Sequence, residues 1–436
     1  MLNKASNAFV IDKNKQNIIL LLFSALFICF MPFAHPYLIF IPFMIHLCRV
    51  FLCSHLTIVS DIIFLLPFSN LFRLPDGKSL LFVLILIADL CFFCRRKIKV
   101  NSGLLIALFL IFYLLLRMGE QYADYLAIIS GVLFLYFSID LITPDVSVHI
   151  SKLFVASVLI SSIFAVMFQK TSQLSGYLID SRTISAGNPG FRFQGLFADP
   201  NYFGACVILA FCIMFLLFTV KKIKGLQFFV GTILIATFGL MTLSKTFFII
   251  FVFCTIAYLL MMFNKRSLIV CLGFCLLIFV VIILFNSGNI AVLESIKERF
   301  DSADNLNELT TGRSNLWILY FNKIFESPLS FLFGYGFEAP LIQGMGSHNL
   351  FLEILYHTGF FGFIALGMFV IWAMTVAYKK GLQGEKLKYR ESYIFIMPLA
   401  FMIFYSSLQG MYHSMLYIEC CLVLMGLMIP FAKKEE

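Results

Sequence analysis

A chain of 436 residues in which 61% are hydrophobic and 13% charged, with a mean hydropathy of +0.96, stands far from soluble domains, which run at roughly 45–50% apolar and about 25% charged. This excludes a soluble enzyme, and at about 20 apolar residues per crossing it leaves room for a single integral membrane domain over 1–436 and little else. The net charge of +9 at pH 7 does not point to nucleic acid, because the basic residues sit in short clusters between apolar runs, where they set orientation.

In chain order the apolar runs fall at 17–34, 36–52, 56–72, 79–94, 103–116, 122–140, 151–168, 200–220, 226–243, 246–263, 268–285, 352–377, 393–408 and 414–431. They predict an all-α polytopic membrane helix bundle of about 12–14 spans. No small-residue cleavage pattern separates the first two runs, so the first span is expected to be retained. The third and fifth runs are short or interrupted, by Pro67 and Arg117, and read as re-entrant or tilted. All 12 cysteines lie in or beside apolar runs, which argues against disulfides or a Cys-ligated metal in the polar segments. Cys91 and Cys94 have CxxC spacing but no second pair, and read as small hydrophobes.

Basic clusters fix the expected orientation. Arg95-Arg96-Lys97-Ile98-Lys99, Lys221 to Lys224, Lys265-Arg266, Lys379 to Arg390 and Lys433-Lys434 all fall on one side when the runs alternate, and that side is the cytoplasm by the positive-inside rule. Both termini land there. Two long polar segments then lie outside, 169–199 and 286–350. The second is acidic, with 7 acids from Glu294 to Glu338 against 4 bases. Its stretches Leu293 to Phe300 and Ser314 to Phe325 have helical spacing and suit the membrane surface.

The first outer loop ends in FRFQGLFADPNYFG, Phe191 to Gly204. Asp199 suits an N-cap, Pro200 a first helical turn, and Gly195 a close backbone approach. Arg192 is then held near a helix N-terminus, a place that favours anions; the alternative is a loop arginine touching lipid phosphate. Ser244-Lys245 forms a tight outer turn, where a lone cation runs against the positive-inside bias and needs either a carbonyl partner or an anionic ligand. Arg313, in Thr311 to Trp317, opens a helix that Trp317 would pin at the interface; a solvated arginine is the alternative. A turn-rich Gly334-Tyr335-Gly336-Phe337 follows.

His348, the only histidine in either long outer loop, sits where an apolar helix begins. It reads either as a hydrogen-bonded cap residue or as a base able to take a proton near neutral pH. Glu353 lies in the following span, where an ionisable residue is a functional candidate or a cation's partner, and His357 lies deeper. No Asp-x-Asp pair stands in the outer loops to hold a divalent ion over phosphates. Scattered cations and one histidine suit attack by a hydroxyl at a carbon bearing a phosphate or pyrophosphate leaving group, with arginines neutralising the departing charge.

The ordered motifs RxxGxxxxPN (Arg192 to Asn201), Ser244-Lys245, GRSxxW (Gly312 to Trp317), GxGF (Gly334 to Phe337) and HNxxLExLxxxG (His348 to Gly359) resemble the bacterial O-antigen ligase and polymerase superfamily over roughly residues 190–370. The resemblance implies an inverting, metal-independent and cofactor-free glycosyltransferase of the GT-C type in the inner membrane, with its site on the periplasmic face. Donor and acceptor would be oligosaccharides on undecaprenyl pyrophosphate, with membrane lipids and a chain-length regulator protein as further partners. His348 and Arg313 would be catalytic, His348 as the base or otherwise acting on the acceptor, and Arg192 and Arg313 would bind pyrophosphate. Asn201, Ser244, Asn349, Glu353 and Lys245 join the substrate-binding set. Lys245 stands where the family usually has Arg; it keeps the charge and loses the bidentate fork. The long acidic second loop favours a repeat-unit polymerase over a ligase. A transporter of lipid-linked sugars is the rival from another class, and it would show repeated halves and charges on broken helices; no halves match here.

Overall fold

The computed structural model describes residues 17–74, 79–95, 100–117, 122–168, 192–197, 199–261, 313–382, 395–406 and 414–432. The expected span at 268–285, the acidic stretch Glu294 to Glu308, most of the first outer loop (169–191), Gly312 of the GRSxxW motif and several basic clusters lie outside these. The described chain is 83% helical, without strands, in 15 helices: α1 (Asn17–Phe33), α2 (Phe40–Leu52), α3 (His55–Leu65), α4 (Leu80–Arg95), α5 (Ser102–Leu116), α6 (Tyr122–Ile139), α7 (Pro144–Phe168), α8 (Pro200–Thr219), α9 (Gly225–Met241), α10 (Lys245–Met261), α11 (Arg313–Ile324), α12 (Pro328–Phe333), α13 (Leu350–Leu382), α14 (Ile396–Tyr405) and α15 (Ser414–Met428). The protein is an all-α polytopic membrane protein.

Among the described residues α7, α8 and α13 are long and apolar enough to cross a membrane, and nine shorter apolar helices accompany them. The third run is broken as Pro67 implies: α3 stops at Leu65 and a 3-10 turn, Leu66–Phe68, follows. The proline has no N–H to continue the helical ladder. Helix α8 is apolar on every side, and nearly all of it is buried, so it forms the axis of the bundle. It packs on α7, α9, α10, α14 and α15, largely through phenylalanine: Phe211 and Phe215 meet Phe251 and Phe228. Helix α13 lies against α5, α12 and α15, and α6 joins α4 to α15. The outer surface is apolar, with Leu52, Phe112, Leu226 and Ile371 all exposed, as lipid contact requires.

Contacts at the two ends of the bundle sort as the basic clusters do. At one end Lys380, in the last turn of α13, donates to the carbonyl of Ile139 and lies 3.7 Å from Asp140, while Arg95 donates to the carbonyls of Val50 and Phe51. The same end carries a buried ionic knot. Arg49 grips Asp61 through Nε and Nη2 at 2.6 and 2.9 Å; His46 bridges Asp61 Oδ2 and Ser24 Oγ, each at 3.1 Å. A cavity of about 410 Å³ adjoins the knot, lined also by Asp145 and His149 of α7. Asp61 and Asp89 are acids inside the apolar runs 56–72 and 79–94; in the fold Asp61 has this partner set and Asp89 accepts from Ser130 at 2.9 Å.

Candidate functional site

At the opposite end the first cluster is assembled by the entry of α8. Asp199 is its N-cap, accepting from the amide of Asn201 at 2.6 Å, and Pro200 is the first helical residue. The chain before it turns at Gly195 with φ +57°, where an added Cβ would stand 2.6 Å from the ring of Phe203. Only glycine fits so close a positive-φ turn. That turn lays residues 192 and 193 along the end of α9: the amide of Phe193 donates to the carbonyl of Met241 at 3.0 Å, and Arg192 Nε to that of Thr242 at 3.1 Å. Arg192 Nη2 and the hydroxyl of Ser244 both donate to Asn201 Oδ1, each at 3.2 Å. Arg192 and Asn201, the two ends of one motif, and Ser244 of the next are thus one hydrogen-bonded unit, and half-buried Lys245 starts α10 beside it. Ser244 caps α10, accepting from the amide of Phe247, and Leu243 before it holds φ +51°.

The second cluster is built around the start of α13. Asn349 Oδ1 accepts from the amides of Phe351 and Leu352 at 3.0 and 3.2 Å, so Asn349 and not His348 is the cap. Ser347 accepts from the Asn349 amide and donates to its carbonyl. Between them His348 takes φ +50°, a conformation of a few per cent of non-glycine residues, and is half-exposed. Helix α11, which Arg313 opens, is fastened to this strap: Trp317 Nε1 donates to the carbonyl of Ser347 at 2.9 Å and Tyr320 to that of Met345 at 2.9 Å. Leu316, Tyr320 and Ile324 bury against Leu352 and Tyr356 of α13. Trp317 therefore pins α11 to the histidine strap, where the sequence alone had it pinning the helix to the interface. Glu353, buried in the first turn of α13, sits where the helix dipole favours an acid.

The GxGF segment is the joint that carries the strap. Gly334 and Gly359 hold φ +72° and +65°, and a Cβ on Gly334 would lie 2.4 Å from the nitrogen of Gly359. The amides of Tyr335 and Gly336 donate to the carbonyls of Tyr356 and His357, which is why α13 is kinked at Gly359. His357 returns the contact, donating through Nδ1 to the carbonyl of Gly336 at 2.7 Å, and stacks on Phe337; its geometry is that of a pin. Sequence reasoning missed the far side of this joint. Arg117, read only as an interruption, donates from Nη2 to the carbonyl of Gly334 at 3.1 Å, and Tyr113 donates to that of Thr358 at 2.6 Å. The signal was available: Arg117 is a lone cation at the outer end of its run, the same anomaly that singled out Lys245.

The two clusters share one end of the bundle. Gly204, one turn below Asn201, faces the ring of Phe404 in α14. The next residue, Tyr405, lines with Leu350 and Phe351 an apolar cavity of about 290 Å³ that runs down between α13, α14 and α15 as far as Met374.

Residues 230–367 match the family model described as O-antigen ligase. Over that segment the sequence is similar to the O-antigen ligase family. The family indicates an activity of the O-antigen ligase or polymerase type, that of a membrane glycosyltransferase-like enzyme. The matched segment holds Ser244, Lys245, Arg313, the GxGF joint, His348, Asn349 and Glu353; Arg192 and Asn201 precede it and reach it through Thr242 and Ser244. No curated protein matches the chain. Among the described residues no group of three or more His, Cys, Asp or Glu side chains is arranged to hold a metal ion.

Proposed function

We propose that the protein is a polymerase that joins undecaprenyl-pyrophosphate-linked oligosaccharide repeat units into O-antigen or capsular polysaccharide, by inverting, metal-independent transfer on the outer face of the bacterial inner membrane. The observation that carries the reading is the adjacency of unlike surfaces at one bundle end. The His348-Asn349 strap leads directly into Leu350 and Phe351, the head of the long apolar cavity. A polyprenyl-linked sugar needs that pairing: an apolar slot for the chain and polar groups above it for pyrophosphate and sugar.

In this reading the acceptor hydroxyl attacks the anomeric carbon of the donor, the bond from that carbon to the pyrophosphate oxygen breaks, and the pyrophosphate departs on its lipid. His348 takes the hydroxyl proton. Arg313 and Arg192 meet the charge developing on the leaving group, with Lys245 beside them. Polymerisation is favoured over ligation by the long, acidic second loop, whose acids suit the recognition of sugar hydroxyls. Transfer to lipid A core is the second reading, supported by the family's description as an O-antigen ligase.

Deleting the gene and resolving the lipid-linked material separates the two. Single repeat units on the surface lipid are the expected result; long chains stranded on the carrier would replace polymerase by ligase. His348→Ala and Arg313→Ala are each expected to abolish glycan extension while the protein remains in the membrane at normal abundance. Normal-length polymer from either variant would overturn the assignment. Passage of lipid-linked oligosaccharide across liposomes at unchanged length would instead favour a transporter.

A further inference from the structure

Helix α11 and the turn that closes it, through Glu326, present three different stripes. Leu316, Tyr320 and Ile324 are buried on α13. Asn315, Asn322 and Glu326 are exposed and polar. Between them, about a quarter turn around the helix from the polar stripe, Ile318, Phe321 and Phe325 are exposed and wholly apolar, at 57%, 46% and 59% of their surface, and Leu329 of α12 extends them. A soluble loop seldom displays such a patch without a partner.

The patch does not end on α12. Phe321 stacks on Phe325 at 6.5 Å, Phe325 on Phe331 at 5.1 Å, and Phe331 on Phe360 of α13 at 5.3 Å. From Phe360 and Phe361 the exposed stripe continues down the spanning helix through Ile364, Met368 and Ile371, at the spacing of one helix face. The apolar side of the loop is thus continuous with the lipid-facing side of α13, while its polar stripe is turned away. That continuity names the occupant.

We propose that the α11–α12 hairpin is an interfacial anchor, with Ile318, Phe321, Phe325 and Leu329 sunk among the acyl chains of the adjoining leaflet and Asn315, Asn322 and Glu326 facing water. Through the bonds of Trp317 and Tyr320 to the 345–347 backbone, the anchor sets the depth of His348 at the headgroup level. The inference rests on the protein being integral to a membrane and not on the glycosyl-transfer reading, and its test requires no activity.

The full chain is reconstituted in nanodiscs whose phosphatidylcholine carries bromine at a shallow or a deep acyl carbon. Tryptophan is introduced singly by Phe325→Trp, Leu329→Trp and Asn322→Trp, over the constant emission of Trp317 and Trp372. The indoles at positions 325 and 329 are expected to lose most of their emission to shallow bromines, about 5–10 Å below the headgroup boundary, and to be shielded from aqueous iodide. The indole at 322 is expected to behave in the opposite way. Iodide quenching at 325 and 329 equal to that at 322 would overturn the proposal, because the patch would then face water. Quenching by neither agent would also overturn it, since the patch would then be covered by protein.

Discussion

At one end of the bundle Arg49 meets Asp61 through two hydrogen bonds in a buried setting that His46 and Ser24 complete. At the other, Arg192 is oriented by a carbonyl and a side-chain amide oxygen, and Arg117 by a carbonyl. A carboxylate fixes a guanidinium and cancels its charge, whereas a carbonyl or amide oxygen fixes its position. The first arrangement holds helices together. The second sets a guanidinium on the backbone and polar side chains of neighbouring segments.

The largest test of that contrast is Asp61→Ala, which strands Arg49 and is expected to cost about 3–5 kcal/mol, read as a lowered midpoint of thermal unfolding in detergent. The double variant Arg49→Met, Asp61→Leu should regain most of it, because a well-packed apolar pair can replace a buried ion pair. An unchanged midpoint in the single variant would remove the structural half of the comparison. Arg192→Ala should reverse the pattern, with turnover lower by about 10²–10³ and roughly 1–2 kcal/mol of stability lost with its bonds to Thr242 and Asn201. A large stability loss with activity retained would make the two arginines alike.

Gly334→Ala probes the scaffold between those extremes. Its Cβ would press on the backbone of Gly359 and His357, for an expected loss of about 1–3 kcal/mol, seen as a lower unfolding midpoint together with reduced turnover. The smallest effect belongs to the exposed pair on α11. Lys323 and then Tyr335 hydrogen-bond Glu326 and hold its carboxyl below the usual range. The contribution is therefore complete above the unfolded carboxyl's range and lost as pH falls through the lower folded value. The midpoint difference between wild type and Glu326→Gln should accordingly shrink as pH drops from neutral through that range. A difference that grows on acidification would reverse the sign assigned to the pair.

What was legible in the sequence was what neighbouring residues decide. Asp199, Pro200 and Gly195 announce a capped helix entry because cap and turn chemistry act over a few residues. Helical character and the ends at which Arg95, Lys380 and the motifs cluster follow from apolar length and charge placement. Contacts between distant helices were not legible. Nothing near Asp61 names Arg49 and His46 as its partners, and nothing near Arg117 names Gly334. His348 was open between cap and base; Asn349 takes the cap through bonds from the amides of Phe351 and Leu352, a contact that apolar periodicity does not encode. Helix α11 was readable as amphipathic, but its third stripe appears only once α13 has covered the first.

The Gly334–Gly359 joint also has a consequence in time. It closes the histidine strap onto the helix that immediately follows, and so short a closure carries a small entropic cost. Its other partner, Arg117, lies 217 residues earlier and leaves the ribosome long before it, since synthesis runs from the N-terminus. The strap is thus poised to lock when α13 bends, before α14 and α15 are complete, onto an α5 made long before.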